Sequence, residues 1–493
     1  MKWLLIEILL LTLAVELLTQ NTRFNERYSW STLNFQFPDE QSRQAAINSR
    51  DYVPINNVPL GTEIWRDRFF VTVPRWLTGI ASTVNFFTMN NAGTSLGRTN
   101  APTLVPYPNY EVNHITANET SFGSKIVSVF RLKVDACDRL WFVDTGLMDI
   151  IGTSRQVIAP RLFIFDLRTD RLLRQYTFNS SDTSEGTLFG GNIVVDVTAN
   201  SCNQAFAYIP DFGAYRLVVY SWAENRSWRI RHPYFYFDPF ATPFYVGGLT
   251  FLWVDGIFGA SLSAIQGDGY RTLYFTAISS NHLYAVSTRF LRDSTLAANT
   301  STLLEAYRFL GTRGSNMQTT AHMLDERTGT LFYTLPNRNG IGCWNSVRNA
   351  HSYTPLTNTV LATDDVTMIF PNDIVLDDAD NVWLLSDRLP VSNMRGLNEN
   401  EVNFRLFSAR ISDAIRGTVC EPSRGSHDGS VNFNGPNREN MNNRFGSGYD
   451  NTQVSISEKK YETLSQFLKA GGTNGLLEKP GKSGRKLSSH LVF

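Results

Sequence analysis

Along most of the chain, apolar and polar positions alternate in short runs broken by Asp, Asn, Gly or clustered charges, a period of two that predicts β-strands. Five segments share one form: an alternating strand, a turn, and a second strand with an aromatic residue near its centre. They are Leu132 to Asp144, Ile193 to Asp196 continued in Ala205 to Asp211, Leu262 to Ala277, Met323 to Tyr333, and Ile374 to Leu385. The central aromatics Trp141, Tyr208, Tyr274, Phe332 and Trp383 are separated by 67, 66, 58 and 51 residues, and Phe70, 71 before Trp141, centres a sixth, less regular unit. Most units run on into further strands, as at Arg161 to Asp166, Leu172 to Phe178, Arg216 to Trp222, His282 to Val286 and Phe404 to Ile411. Four strands per unit at roughly 50 to 70 residues is what propeller blades require. A twisted four-stranded sheet cannot bury both faces alone, whereas a closed ring of sheets does so. The expected fold class is therefore all-β, a six-bladed β-propeller with four-stranded blades over residues 21–420. Trp30 to Phe37 is expected to add a strand that helps close the ring.

The ends of the chain read differently. Trp3 to Leu18 is an apolar run after Lys2, interrupted by Glu7 and Glu16, so residues 1–20 are expected to be a signal peptide rather than a membrane anchor. From Glu421 onward, 28 of the 73 residues are Gly, Ser or Asn, which leaves too little to bury, so residues 421–493 are expected to form a polar, largely disordered tail. Within it, Ser457 and the apolar residues Tyr461, Leu464, Phe467 and Leu468 suggest one marginal helix. Export to an extracellular location agrees with four N-x-[ST] sequons, at Asn118, Asn179, Asn225 and Asn299, as expected glycosylation sites. Four cysteines in such a chain predict two disulfides, for which three connectivities exist. Cys137 and Cys202 both fall in the turn after the first strand of consecutive units, which favours pairing them and leaves Cys343 with Cys420.

Charge removes two function classes. Lys and Arg total 45 against 45 Asp and Glu, so there is no electrostatic footprint for nucleic acid or for a polybasic membrane contact. Aromatic residues make up 13% of the chain, which suits half-buried sheets.

Several stretches resemble the insect Yellow and major royal jelly protein family. They are Gly61-Thr-Glu-Ile-Trp65 and Phe70-Val-Thr-Val-Pro-Arg-Trp-Leu-Thr-Gly79 within Pro54 to Trp76 and beyond, Val134-Asp-Ala-Cys-Asp-Arg-Leu-Trp-Phe-Val-Asp-Thr-Gly146, Pro160-Arg-Leu-Phe-Ile-Phe-Asp166, Asp255-Gly-Ile-Phe-Gly-Ala-Ser-Leu262 and Gly340-Ile-Gly-Cys-Trp-Asn345. The resemblance covers approximately residues 28–420. One local departure is Gly79-Ile80-Ala81, where members often have Gly-x-Pro. The resemblance implies a secreted, glycosylated six-bladed propeller associated with melanin pigmentation and cuticle maturation, or with binding of biogenic amines. Some members are credited with converting dopachrome-like intermediates, so the chain is a candidate isomerase without being assigned as an enzyme.

Familiar catalytic signatures are absent or misplaced. Gly93-Thr-Ser-Leu-Gly97 has the nucleophile-elbow string without a following helix, and Gly475 to Ser483 is a phosphate-loop-like string with no preceding strand. Seven histidines lack zinc spacing, and neither a cofactor nor a metal ligand is assigned. A propeller places its site around the central channel, near the starts of the innermost strands. Counting back from the aspartate that ends each first strand gives Arg131, Asn192, Thr320 with Ala321, and Asn372 with Asp373, while Asp255 and Phe258 open the remaining unit. An aromatic amine or catechol-derived ligand needs a stacking face and acceptors for its ammonium, which Phe258, Asn192, Asp255, Thr320, Asn372 and Asp373 supply. For tautomerisation, Asp373 is the expected base, with Arg131 or Asn192 steadying the oxyanion. Two other readings stand beside this one. A metal-dependent lactonase-like or esterase-like hydrolase would hold its cation with Asn192 and Asp373, and a structural or storage glycoprotein would need no ligand at all. The oligomeric state is left open.

Overall fold

The computed structural model describes residues 23–89, 101–183, 189–299 and 305–423. The expected signal peptide, nearly all of the expected tail with its helix, and the two catalytic look-alike strings lie outside the described residues.

The chain folds as six four-stranded antiparallel sheets arranged as blades of a β-propeller. Blade 1 comprises Thr62–Trp65, Arg68–Thr72, Val84–Thr88 and Val105–Pro106. Blade 2 comprises Val129–Val134, Arg139–Asp144, Arg161–Asp166 and Arg171–Thr177, and blade 3 Val194–Asp196, Phe206–Asp211, Arg216–Ser221 and Arg226–Arg231. Blade 4 comprises Ile257–Leu262, Thr272–Ala277, His282–Ser287 and Tyr307–Thr312, and blade 5 His322–Asp325, Thr330–Leu335, Gly340–Asn345 and Asn358–Thr363. Blade 6 takes Pro371–Leu376, Asn381–Ser386 and Phe404–Arg410 from the end of the ring and its outermost strand, Asn25–Trp30, from the beginning. The first strand of each blade is innermost, and these strands neighbour one another around the axis.

The closing strand is thus Asn25–Trp30, paired with Phe404–Arg410, and the expectation of a strand over Trp30 to Phe37 is corrected. Beyond Trp30 the period of two persists, with Leu33, Phe35 and Phe37 buried, but this extended segment meets blade 1 only through a single parallel bridge between Phe35 and Leu104. It packs its apolar side chains around Tyr52 instead.

The aspartate and the aromatic that mark the repeat bind each other. Trp141 Nε1 donates to Asp135 Oδ2 at 2.7 Å, the Tyr208 hydroxyl to Asp196 Oδ2 at 2.9 Å, and Trp383 Nε1 to Asp377 Oδ2 at 2.8 Å. Each bond spans the turn between the first two strands of one blade, and the aromatic rings are buried in the seams between blades. Trp141 meets Tyr220 of blade 3 edge-on at 6.3 Å, for example, and Tyr274 of blade 4 meets Trp344 of blade 5 at 5.8 Å. Disulfides join Cys137 to Cys202 across blades 2 and 3, and Cys343 of blade 5 to Cys420 beyond blade 6.

Two hairpins and a helix cover the end of the axis where the innermost strands begin. Leu147–Met148 pairs with Arg155–Gln156, and Pro243–Val246 with Leu249–Leu252. The helix Glu40–Ser49 starts at Asp39, whose carboxylate accepts from Ser42 N at 2.7 Å, and ends at Arg50 with φ 64°. Beneath them a continuous apolar cluster includes Trp76, Phe130, Phe212, Phe244, Trp253 and Phe370.

Candidate functional site

At the axis, beneath this cover, three blades are tied together by one buried ion pair. Arg131, third in the innermost strand of blade 2, donates from Nη1 to Asp373 Oδ1 of blade 6 at 2.7 Å, and from Nη2 to the Asn372 carbonyl at 2.7 Å and to Asn372 Oδ1 at 3.0 Å. Asp373 Oδ2 accepts from blade 1, from Thr62 N at 2.7 Å and Thr62 Oγ1 at 3.2 Å, while Oδ1 also takes Ile374 N at 3.0 Å. Burial pushes the Asp373 carboxyl up and Arg131 opposes it, so the pair holds its charges by mutual contact rather than by water. Thr320 of blade 5 donates to the Asn372 carbonyl at 2.9 Å or the Pro371 carbonyl at 3.1 Å. The amide of Asn372 donates to Asp387, which lies just beyond the second strand of blade 6 and also accepts from Leu389 N at 2.9 Å.

Asp387 is a residue that counting along the first strands misses. Its signal lies in the second strands, which end on aspartates at Asp144 and Asp211, each paired with the arginine that opens the third strand, Arg161 and Arg216, at 2.7 Å. In blade 6 the corresponding arginine, Arg405, turns to Glu26 at 3.0 Å. Asp387 is left buried without an arginine of its own, and burial pushes its carboxyl up to about 8.

The other side of the axis is aromatic. The register shift between Ile257 and Gly259 interrupts the pairing at Phe258, and the Arg131 guanidinium lies 4.8 Å from the centre of the Phe258 ring. Phe212 meets the same ring edge-on at 5.0 Å. Gly191 is required here, since a Cβ would stand 2.4 Å from Phe258 and 2.3 Å from Phe212. Its neighbour Asn192 donates from Nδ2 to the Phe258 carbonyl at 3.0 Å and accepts Ile193 N at 2.8 Å, so both ends of its amide serve the backbone.

Asp255, three residues before Phe258, accepts from Trp253 Nε1. The residue keeps an exposed edge although its carboxyl is surrounded by protein. Burial pushes this carboxyl up to about 7. Burial, and after it the Asp255 carboxyl, raises the phenol of Tyr215, which donates to the Val254 carbonyl at 3.0 Å and stacks on Tyr236 at 4.6 Å.

The structure therefore brings Arg131, Asn372, Asp373 and Thr320 into one hydrogen-bonded cluster, sets Phe258 against it with Asn192 bonded to the Phe258 carbonyl, and leaves Asp255 outside that cluster's hydrogen bonds, on Trp253. Ala321 contributes only backbone, its N–H meeting Thr334 Oγ1 at 3.1 Å. His322 is a second residue that sequence reasoning overlooks. Wedged between blades 4 and 5, it pairs its Nδ1 with Ser261 Oγ at 2.7 Å, and burial lowers it to about 3, so it is a neutral imidazole. Its ring explains one glycine of the Asp255 to Leu262 motif, because a Cβ on Gly259 would meet His322 Cδ2 at 2.7 Å. Among the described residues no three His, Cys, Asp or Glu side chains gather as a metal site would require. The pair named for a cation, Asn192 and Asp373, is occupied by backbone and by Arg131, whose charge would repel one.

Fold and axis together define a six-bladed propeller whose polar and aromatic side chains converge at one end of the axis. The family model for major royal jelly protein matches residues 127–420. Protein yellow of Drosophila subobscura is 40% identical over 401 residues, covering 81% of this chain and 67% of that protein. Protein yellow of Drosophila melanogaster is 40% identical, covering 81% of this chain and 71% of its own length. The chain belongs to the Yellow and major royal jelly protein family.

Proposed function

We propose that the protein is exported and binds an aromatic amine, or a catechol- or indole-derived small molecule, at the covered end of the propeller axis, acting in melanin pigmentation or cuticle maturation. The observation that carries this reading is an excess of acid beside aromatic faces. Asp373 and Asp387 border the contact of Arg131 with Asn372, Asp255 accepts from Trp253, and neither Asp387 nor Asp255 has an arginine of its own. A ligand ammonium satisfies such carboxyls, and Phe258, Phe212 and Trp253 supply faces for its ring. Among the described residues no helix is long and apolar enough to cross a membrane, and the four sequon asparagines are exposed where glycans would be carried.

If the bound ligand is a dopachrome-like quinone, its tautomerisation moves a proton from one ring position to another and needs a nearby acceptor. Asp373 already receives four hydrogen bonds and is committed to Arg131, whereas Asp255 receives one from Trp253 and sits near neutrality. We therefore assign proton transfer to Asp255 in place of Asp373. Calorimetric titration with dopamine and serotonin tests the binding. The wild type is expected to give saturable heat, with affinity lowered at least about tenfold by Phe258→Ala. Heat that does not saturate, or a variant that binds like the wild type, would remove the reading.

A further inference from the structure

The hairpin that precedes blade 4, Pro243–Val246 with Leu249–Leu252, has one edge closed and one open. Its register sets Pro243, which has no N–H, opposite Leu252, so the ladder bonds run through Phe244 with Phe251 and Val246 with Leu249. On the first strand, the outward Tyr245 N–H meets Asn337 Oδ1 at 3.0 Å and the Pro243 carbonyl accepts from Asn337 Nδ2 at 3.0 Å, so blade 5 seals that edge. On the second strand, the N–H and C=O of Thr250 and Leu252 point away from the hairpin, and no described residue bonds them. An open strand edge is a template for another strand unless charge, proline or a covering element blunts it.

Among the described residues one charge reaches the hairpin, the exposed Arg395, whose Nη2 bonds the Gly248 carbonyl at 2.9 Å at the turn and leaves Thr250 and Leu252 unbonded. Residues 239–254 carry no charge at all. The outer face is apolar, with Phe240 96%, Tyr245 52% and Leu252 48% exposed, a density of exposed aromatics that marks contact surfaces. The occupant follows from charge. A twofold contact sets a surface against itself, so a charged patch would repel its own copy and an uncharged one does not. The whole chain also has formal net charge zero, which leaves no long-range repulsion between copies.

We propose that residues 249–252 pair antiparallel with the same residues of a second copy, Thr250 opposite the partner's Leu252, to make a four-stranded sheet across a twofold dimer. Phe240 and Tyr245 pack around the junction. The contact lies over the axis, so each copy would cap the covered end of the other's propeller.

Sedimentation equilibrium on the full exported chain tests this. The wild type is expected to reach twice the single-chain mass at micromolar concentration. Leu252→Lys, and independently Thr250→Pro, which removes one outward N–H and leaves the hairpin's own ladder intact, should each weaken association at least about tenfold. Leu356→Lys, on an 86% exposed side chain of blade 5, serves as the control and should leave it unchanged. Unaltered thermal midpoints establish that the variants are folded. A wild type that stays at single-chain mass up to about 100 µM, or a dimer that survives both hairpin variants, overturns the proposal, whatever else the hairpin is found to bind.

Discussion

Two buried carboxyls, Asp387 and Asp255, make this protein's stability depend on pH in an unusual direction. Most paired acids in folded proteins have lowered pKa values and add stability as pH rises, but Asp387 is pushed up to about 8 against an ordinary value near about 4. Between those values the folded chain keeps a proton that the unfolded chain releases. Its contribution is complete below about pH 4 and is lost progressively as pH rises to about 8, at up to about 1.4 kcal/mol per pH unit. Asp387→Asn keeps a neutral acceptor in place and is expected to reduce that slope in denaturant titrations at pH 5, 6, 7 and 8, most clearly between pH 7 and 8, where Asp255, pushed up to about 7, adds least. A variant whose slope matches the wild type would show that Asp387 is ionised in the fold. His322, lowered to about 3, stays neutral in the fold while the unfolded imidazole gains a proton below about pH 6.5, so it adds a slope of opposite sign there, the same in wild type and variant. At this scale the sequence is only partly legible. Counting along first strands finds Arg131, Asn372 and Asp373, because they share a register. It does not find their partners, since Asp387 meets Asn372 only after 15 residues and a strand reversal.

Within each blade, the clearest sequence signal has a physical cause. An aspartate at the end of the first strand and an aromatic in the second recur because the ring N–H or O–H is the donor that the half-hidden carboxylate needs, at Asp135 with Trp141, Asp196 with Tyr208 and Asp377 with Trp383. Blade 5 keeps the aspartate but has Phe332, which has nothing to donate, and Asp325 turns to the Thr328 hydroxyl at 2.7 Å instead. Trp141→Phe should therefore cost more than packing alone. It strips a donor from Asp135 and is expected to lower stability by about 1–3 kcal/mol, read as a shifted urea midpoint at unchanged m-value. Phe332→Leu removes no hydrogen bond and is expected to cost about 1 kcal/mol or slightly more. Equal losses in the two variants would mean that the bond adds nothing to the blade.

Closure of the whole ring is where local pattern and tertiary structure part. Leu33, Phe35 and Phe37 alternate as regularly as any strand, yet the segment that closes the propeller is Asn25–Trp30, whose burial is less regular. Periodicity reports which side chains are covered, whereas strand pairing is decided by which backbone lies within hydrogen-bonding reach. The closing strand also does more than complete blade 6. Tyr28 meets Phe87 of blade 1 edge-on at 4.8 Å and stacks near Trp383 of blade 6 at 6.4 Å, and Trp30 lies 6.1 Å from Phe87. Glu26 holds Arg405 from the same strand. One strand thus joins the first and last blades at a seam that neither disulfide crosses. Trp30→Ala should empty the aromatic contact at that seam and cost about 3–5 kcal/mol. It should also do so selectively: native-state hydrogen exchange is expected to speed first in Phe404–Arg410 and Arg68–Thr72, with blades 3 and 4 protected until global unfolding. Uniform acceleration across all six blades would mean that the ring opens as one cooperative unit with no weakest seam.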